Sequence, residues 1–130
     1  MYKGSCLCGE IQYELTSEPI KVSHCHCTMC QKQHGAMFAT YASLPKSDLV
    51  YRLSLDSLMS YNSSSSIMRK FCKMCGSNIE WSGSKDYPDW VSVAISTLDT
   101  IYDPSFIEDI FINETANPNF LQNSFNSNVD

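Results

Sequence analysis

A mainly β fold, in which short strands hold up cysteine-bearing turns, is predicted by three features of this 130-residue sequence. Several short segments alternate apolar and polar residues, the period-2 signature of a half-buried strand. Helical periodicity is weak nearly everywhere. All seven cysteines fall into three tight clusters, set between those alternating segments.

Ile11-Gln-Tyr-Glu-Leu15 alternates cleanly and reads as the first strand. A second is predicted over Met37–Ala42, closed by Ser43-Leu44-Pro45, and a third over residues 49–55, where Leu49, Tyr51, Leu53 and Leu55 alternate. Residues 58–61 make a short strand before Ser63–Ser66, a polar loop tip. Met68–Phe71 leads into the last cysteine pair and Ser77–Trp81 leads out of it. Ser84–Pro88 is a turn, and Trp90–Ile95 alternates again. The single helical turn expected follows Cys27, over Thr28–Gln33, with Gly35 ending it. From about residue 113 the chain is rich in Asn and Ser, with isolated Phe120, Leu121 and Phe125, and is expected to be an irregular segment of one domain spanning 1–130. The aromatics Tyr13, Phe38, Phe71, Trp81 and Trp90 are assigned to the core.

Composition narrows the function classes. The chain is 43% hydrophobic and 18% charged, as ordinary globular proteins are. Its formal charge of −5 gives no global attraction to nucleic-acid phosphates, so no nucleic-acid partner is expected. Arg69, Lys70 and Lys73 form the one basic grouping and read as a solvated edge. The MYKGSCLCGE opening carries no apolar signal core, and no run reaches the 18 apolar residues of a membrane span. A cytoplasmic protein with no membrane partner is expected. In that reducing setting an odd number of cysteines argues for metal or thiol chemistry over disulfides.

The clusters are Cys6-x-Cys8, Cys25-x-Cys27-x-x-Cys30 and Cys72-x-x-Cys75. In Cys72-Lys-Met-Cys75-Gly76, a two-residue spacer turns both thiolates toward one ion, and Gly76 tolerates the positive φ of the tight turn. Zinc takes four protein ligands in a structural site and three, with one open place, in a catalytic site. Two pairs and a triplet divide as four plus three. Cys6, Cys8, Cys72 and Cys75 would close one tetrahedral site, and Cys25, Cys27 and Cys30 would hold a second ion with an open position. The alternative is that His24, His26 or His34 closes the second site, leaving two structural ions. A three-thiolate site is a weaker Lewis acid than a three-histidine site and suits exchange of a soft ligand, above all an incoming thiol. His24 and His34 could relay protons but read more plainly as surface or supporting residues. His26, between two cysteines, is expected to point away from them, and Lys32 to be a solvated lysine.

These motifs together resemble the glutathione-dependent formaldehyde-activating enzyme family, which also includes centromere protein V-like domains. The resemblance rests on Gly4-Ser-Cys-Leu-Cys-Gly9 with Ile11-Gln-Tyr13, Cys25-His-Cys-Thr-Met-Cys30-Gln-Lys32, Gly35-Ala36, Phe38, Arg69-Lys-Phe-Cys72-Lys-Met-Cys75-Gly-Ser77 and Thr97-Leu98-Asp99. It implies a small tent-like, Mss4-like β fold built around zinc-binding turns. It further implies two zinc ions per chain: a structural one on Cys6, Cys8, Cys72 and Cys75, and a catalytic one on Cys25, Cys27 and Cys30. The implied activity is carbon–sulfur lyase chemistry on a glutathione–aldehyde adduct of the S-hydroxymethylglutathione type. The pattern departs near its end, where Asp109 stands in a region in which many relatives carry a His, and Asn117-Pro118-Asn119-Phe120 replaces a Pro-Trp pair. Two other readings stand beside the lyase. One is a non-catalytic zinc-stabilised binding module. The other, a methionine sulfoxide reductase-like enzyme, needs a nucleophilic cysteine outside the metal sites, and the counting leaves none.

Overall fold

The computed structural model describes residues 1–52 and 55–115. Its strands are β1 (Tyr2–Ser5), β2 (Gln12–Leu15), β3 (Lys21–Cys25), β4 (Ala39–Pro45), β5 (Leu49–Tyr51), β6 (Leu58–Asn62), β7 (Met68–Cys72), β8 (Asn78–Ser82), β9 (Trp90–Ala94) and β10 (Glu108–Ile110). The mainly β expectation holds. β1, β2 and β5 form an antiparallel three-stranded sheet, and the other seven form a second sheet in the order β10-β3-β4-β9-β8-β7-β6. Only the edge pair β10–β3 is parallel. No described helix is long and apolar enough to cross a membrane.

The alternation in each strand decides which face is buried. Ile11, Tyr13 and Leu15 from the small sheet pack on Leu44, Ile79, Val91 and Val93 of the large one, with Cys6 and Cys72 at the end of this core. Tyr13 is fully buried and bonds Thr97 through its hydroxyl at 2.7 Å. Its ring lies where a side chain on Gly4 would sit, so β1 can cross it only as glycine. The Thr97–Asp99 segment closes the unit: Asp99 N–H donates to the Lys3 carbonyl at 2.8 Å, and Ser5 Oγ donates to the Asp99 carboxylate at 2.6 Å.

Three boundaries differ from the sequence reading. β4 begins at Ala39 and runs through Pro45, because Ser43, Leu44 and Pro45 pair with Ser92, Val91 and Trp90 rather than closing the strand. The strand expected over 49–55 stops at Tyr51, and Leu55–Ser57 is a 3-10 turn. β5 pairs with the small sheet and β6 with the large one, so the chain must change sheets between them. Leu53 lies outside the described residues, as do Asn117–Phe120, Leu121 and Phe125. β1, β3 and β10 lack a readable apolar alternation and exist through their pairing. β10, Glu108-Asp-Ile110, is held against β3 by its ladder, a Lys21–Glu108 ion pair at 3.4 Å and an Asp109–His26 bond.

Candidate functional site

The folded chain groups its cysteines four and three. The Sγ atoms of Cys6, Cys8, Cys72 and Cys75 all lie within 4.8 Å of one another, and so do those of Cys25, Cys27 and Cys30. The first group joins two turns of like design. Gly9 N–H donates to the Cys6 carbonyl at 3.1 Å, and Gly76 N–H to the Cys72 carbonyl at 2.8 Å. Both glycines have positive φ, 85° and 80°. Leu7 N–H reaches across to Ser77 Oγ at 2.9 Å, locking one turn to the other. The Cys6–Cys8 and Cys8–Cys72 sulfur separations are 3.6 and 3.8 Å. A tetrahedron with bonds of about 2.3 Å has edges of about 3.8 Å, so this donor set fits zinc.

The triplet spans the end of β3 and the helix α1 (Thr28–His34). Cys27 is the helix N-cap: its sulfur accepts the Cys30 N–H at 3.3 Å, turning three consecutive sulfur positions inward. Gly35, in the left-handed conformation, ends the helix one residue beyond the expected Gln33. Cys25 and Cys30 sulfurs are 3.4 Å apart, close enough to share an ion or a proton. Hydrogen bonding from Cys25 pulls the Cys30 thiol down to about 5, with Arg69 adding to that against the cost of burial. The same contact pushes Cys25 up.

No histidine joins either sulfur group among the described residues. His26 is fully buried and turned away, its Nε2 bonded to the Asp109 carboxylate at 2.9 Å. Asp109, standing where the family pattern departs, therefore ties β10 to the cysteine loop. His24 Nδ1 bonds Thr40 Oγ1 at 2.8 Å, and its ring stacks on Phe38. His34 Nε2 bonds the Tyr41 hydroxyl at 3.0 Å; burial and nearby Arg69 lower it to about 4, so it is neutral at pH 7. Lys32 is exposed, as expected.

Sequence reasoning missed Arg69. It belongs to no solvated edge: it is 3% exposed. Its guanidinium donates to Ser63 Oγ at 2.9 Å, Gln33 Oε1 at 3.0 Å and Cys30 Sγ at 3.5 Å. The cause is register. Lys21, Ser43, Ser92, Trp81 and Arg69 are successive cross-strand partners on β3, β4, β9, β8 and β7, so they form one row on the face opposite the core. That face floors a cavity of about 580 Å³, whose wall includes all three cysteines of the triplet. Trp81 and Trp90, assigned to the core from sequence, line this cavity and are only partly buried. Phe38 and Phe71 are also only partly buried, leaving Tyr13 as the core aromatic of that set.

A family model described as glutathione-dependent formaldehyde-activating enzyme matches residues 1–114. The chain belongs to this family. Members similar to it include a Podospora anserina protein provisionally named a glutathione-dependent formaldehyde-activating enzyme, 30% identical over 108 residues covering 78% of this chain and 50% of the relative. A Schizosaccharomyces pombe protein described as an uncharacterized lyase is 32% identical over 78 residues, 60% of this chain and 55% of that protein. The chain thus spans about half the length of these curated relatives. A Rhodobacter sphaeroides protein of known crystal structure shares the fold, with a TM-score of 0.67 at 22% identity over 82% of this chain and 98% of that one.

Proposed function

We propose that the chain is a zinc-dependent carbon–sulfur lyase acting on a glutathione–aldehyde adduct, with Cys25, Cys27 and Cys30 as the catalytic metal ligands and Cys6, Cys8, Cys72 and Cys75 as the structural ones. One observation carries the reading. Four sulfurs meet where two turns are locked together, whereas three meet at the wall of a large cavity with no further donor among the described residues. The contrast matches a closed structural site and an open catalytic one. Membership of the formaldehyde-activating family supports glutathione as the thiol and a simple aldehyde as the carbonyl partner.

A zinc ion held by Cys25, Cys27 and Cys30 would supply a coordination position open to a soft sulfur ligand and would favour an incoming thiol in its thiolate form. The chain's own residues prepare that position. Arg69 sets a fixed positive charge 3.5 Å from Cys30 Sγ, offsetting the excess negative charge of clustered thiolates. The Cys30 N–H holds Cys27 Sγ in place, and Gln31 Nε2 donates to the His26 carbonyl at 2.6 Å, stiffening the loop between the ligands. Tyr41 packs against Cys25 and Cys30 and lines the cavity; burial raises its phenol, so it stays protonated. Its O–H, positioned by neutral His34, is the group assigned to exchange a proton with the adduct oxygen as the carbon–sulfur bond forms or parts.

The test is zinc content followed by thiol titration. Two zinc ions per chain are expected, with glutathione binding through sulfur and releasing about one proton, counted by calorimetry in buffers of different ionisation enthalpy. S-methylglutathione has no thiol to ionise and should bind much more weakly. Equal affinity for both ligands without proton release would refute the lyase and leave a zinc-stabilised binding module.

A further inference from the structure

We infer that the Lys21–Glu108 ion pair recognises the γ-glutamyl end of glutathione, Lys21 taking its α-carboxylate and Glu108 its α-ammonium; this rests on the lyase reading of the same site. Glutathione carries charge as well as a sulfur, so a site that holds it must offer more than metal ligands. A cavity of about 580 Å³ falls in the size range for a ligand of this kind. Among its described lining residues, cysteines apart, Lys21 and Arg69 alone carry charged head groups. Arg69 is buried and engaged with Ser63, Gln33 and Cys30. Lys21 differs: its side chain is 51% exposed and pairs at 3.4 Å with that of Glu108, itself 45% exposed. An ion pair in that much water stabilises little, so it opens to a ligand at small cost. β10 keeps its ladder to β3 and the Asp109–His26 bond when the pair opens.

Register places this pair within reach of the sulfurs. Lys21, Ser23 and Cys25 alternate along β3 onto the face that lines the cavity. Glu108 is the cross-strand partner of Ser23, and Ile110 that of Cys25, so Glu108 stands on the same face, short of the cysteine end. At about 3.3 Å per residue, the pair lies roughly 7–13 Å along β3 from Cys25. From its sulfur, glutathione extends roughly 10 Å to the γ-glutamyl α-carboxylate but only about 7 Å to the glycyl carboxylate, as ordinary bond lengths dictate. The longer arm falls well inside the span, and the shorter arm only at its near limit. Charge selects the same arm. The γ-glutamyl end carries a carboxylate and an ammonium on one carbon, the counterpart of a lysine and a glutamate 3.4 Å apart. The glycyl end carries an anion alone and leaves Glu108 without a partner.

The zinc-loaded protein is titrated by calorimetry with glutathione, its glycyl ethyl ester, N-acetylglutathione and mercaptoethanol, an uncharged thiol. Lys21→Met should weaken glutathione about 5- to 20-fold, the scale of a charge-assisted bond kept half in water, and leave mercaptoethanol unchanged. The glycyl ester should bind the unaltered chain about as well as glutathione and suffer the same loss. N-acetylation, which removes the ammonium, should weaken binding severalfold in the unaltered chain and by less in Glu108→Gln. Lys32→Met, on an exposed lysine that does not line the cavity, should change nothing. Equal loss of glutathione and mercaptoethanol in Lys21→Met, or loss of neither, would overturn the assigned recognition and leave the lyase standing. An ester indifferent to Lys21→Met would show that the glycyl carboxylate is the one held and would overturn the γ-glutamyl assignment. An N-acetyl penalty undiminished in Glu108→Gln would overturn the part given to Glu108. No sulfur-directed binding of any of these thiols would overturn the inference and the lyase together.

Discussion

Replacing Arg69 by methionine keeps an unbranched apolar stem and deletes a guanidinium that is 3% exposed and 3.5 Å from Cys30 Sγ. At that separation a unit charge pair attracts by about 5 kcal/mol at an effective dielectric near 20. Much of this offsets the desolvation of the guanidinium, leaving roughly 1.5–3 kcal/mol, or about 10- to 100-fold in metal affinity, the usual range for groups supporting a metal's ligands. The bonds to Ser63 and Gln33 go to groups that are not metal ligands, so their loss should appear mainly in stability, at about 1 kcal/mol each. Competition with a chromophoric chelator should therefore release one zinc about 10- to 100-fold more readily, with the second zinc held as before. Arg69→Lys should fall between, because it restores charge without the fork that reaches three acceptors. Release of both ions at the concentrations that strip the unaltered chain would show that Arg69 does not act on the triplet.

Four further outcomes follow from the same structure. Cys72→Ala should give insoluble or molten protein, since zinc bound with folding contributes roughly 10–16 kcal/mol in small domains and net stability is only about 5–15 kcal/mol; a cooperative melt with full zinc content would refute the four-cysteine assignment. Cys27→Ser should keep a cooperative melt and lower zinc content by about one ion, because its ligands all lie within residues 25–30, from the end of β3 into α1, and cross-link no distant segments; collapse as severe as that of Cys72→Ala would point to two structural sites. Gly4→Ala places a Cβ into the buried Tyr13 ring and should cost about 1–3 kcal/mol in chemical denaturation, whereas an unchanged midpoint would mean β1 is free to lift away. Asp109→Asn should leave His26 a bonded neighbour and lower stability by less than about 1.5 kcal/mol, while Asp109→Leu, which leaves the imidazole Nε2 unpaired and only Nδ1 bonded, to Thr115 Oγ1 at 3.4 Å, should cost more. Thermal melts of the two variants decide this, and equal losses would show that the bond does not matter.

What was legible in the sequence was local. Alternation over Ile11–Leu15 and Trp90–Ile95 marked strands whose buried residues, Ile11, Tyr13, Leu15, Val91 and Val93, are the core. The Cys72-x-x-Cys75-Gly76 spacing carried its own turn, down to the positive φ of Gly76. Counting divided the sulfurs four and three, and the ordered cysteine motifs pointed to the family. Strands whose apolar pattern is thin stayed hidden. Lys21–Cys25 turns one face to the cavity, and Glu108–Ile110 is charged at an edge where one neighbour is enough.

The sequence by itself determined the chemistry available, because ligand spacing within a turn depends only on bond geometry and a few backbone angles. Tertiary structure decided where that chemistry faces. The Cys6–Cys8 turn meets the Cys72–Cys75 turn only once the two sheets have packed, 64 residues of chain separating Cys8 from Cys72. Arg69 reaches Cys30 only because β3, β4, β9, β8 and β7 lie in one register, which a shift of a single residue would turn to the opposite face. The same register turns Trp81 and Trp90 to the cavity, away from the core between the two sheets, with Trp81 packing instead on the smaller cluster around Cys25, Cys30 and Tyr41. A residue's polarity says that it will leave water or stay in it; which of two sheet faces it occupies is set by partners far along the chain.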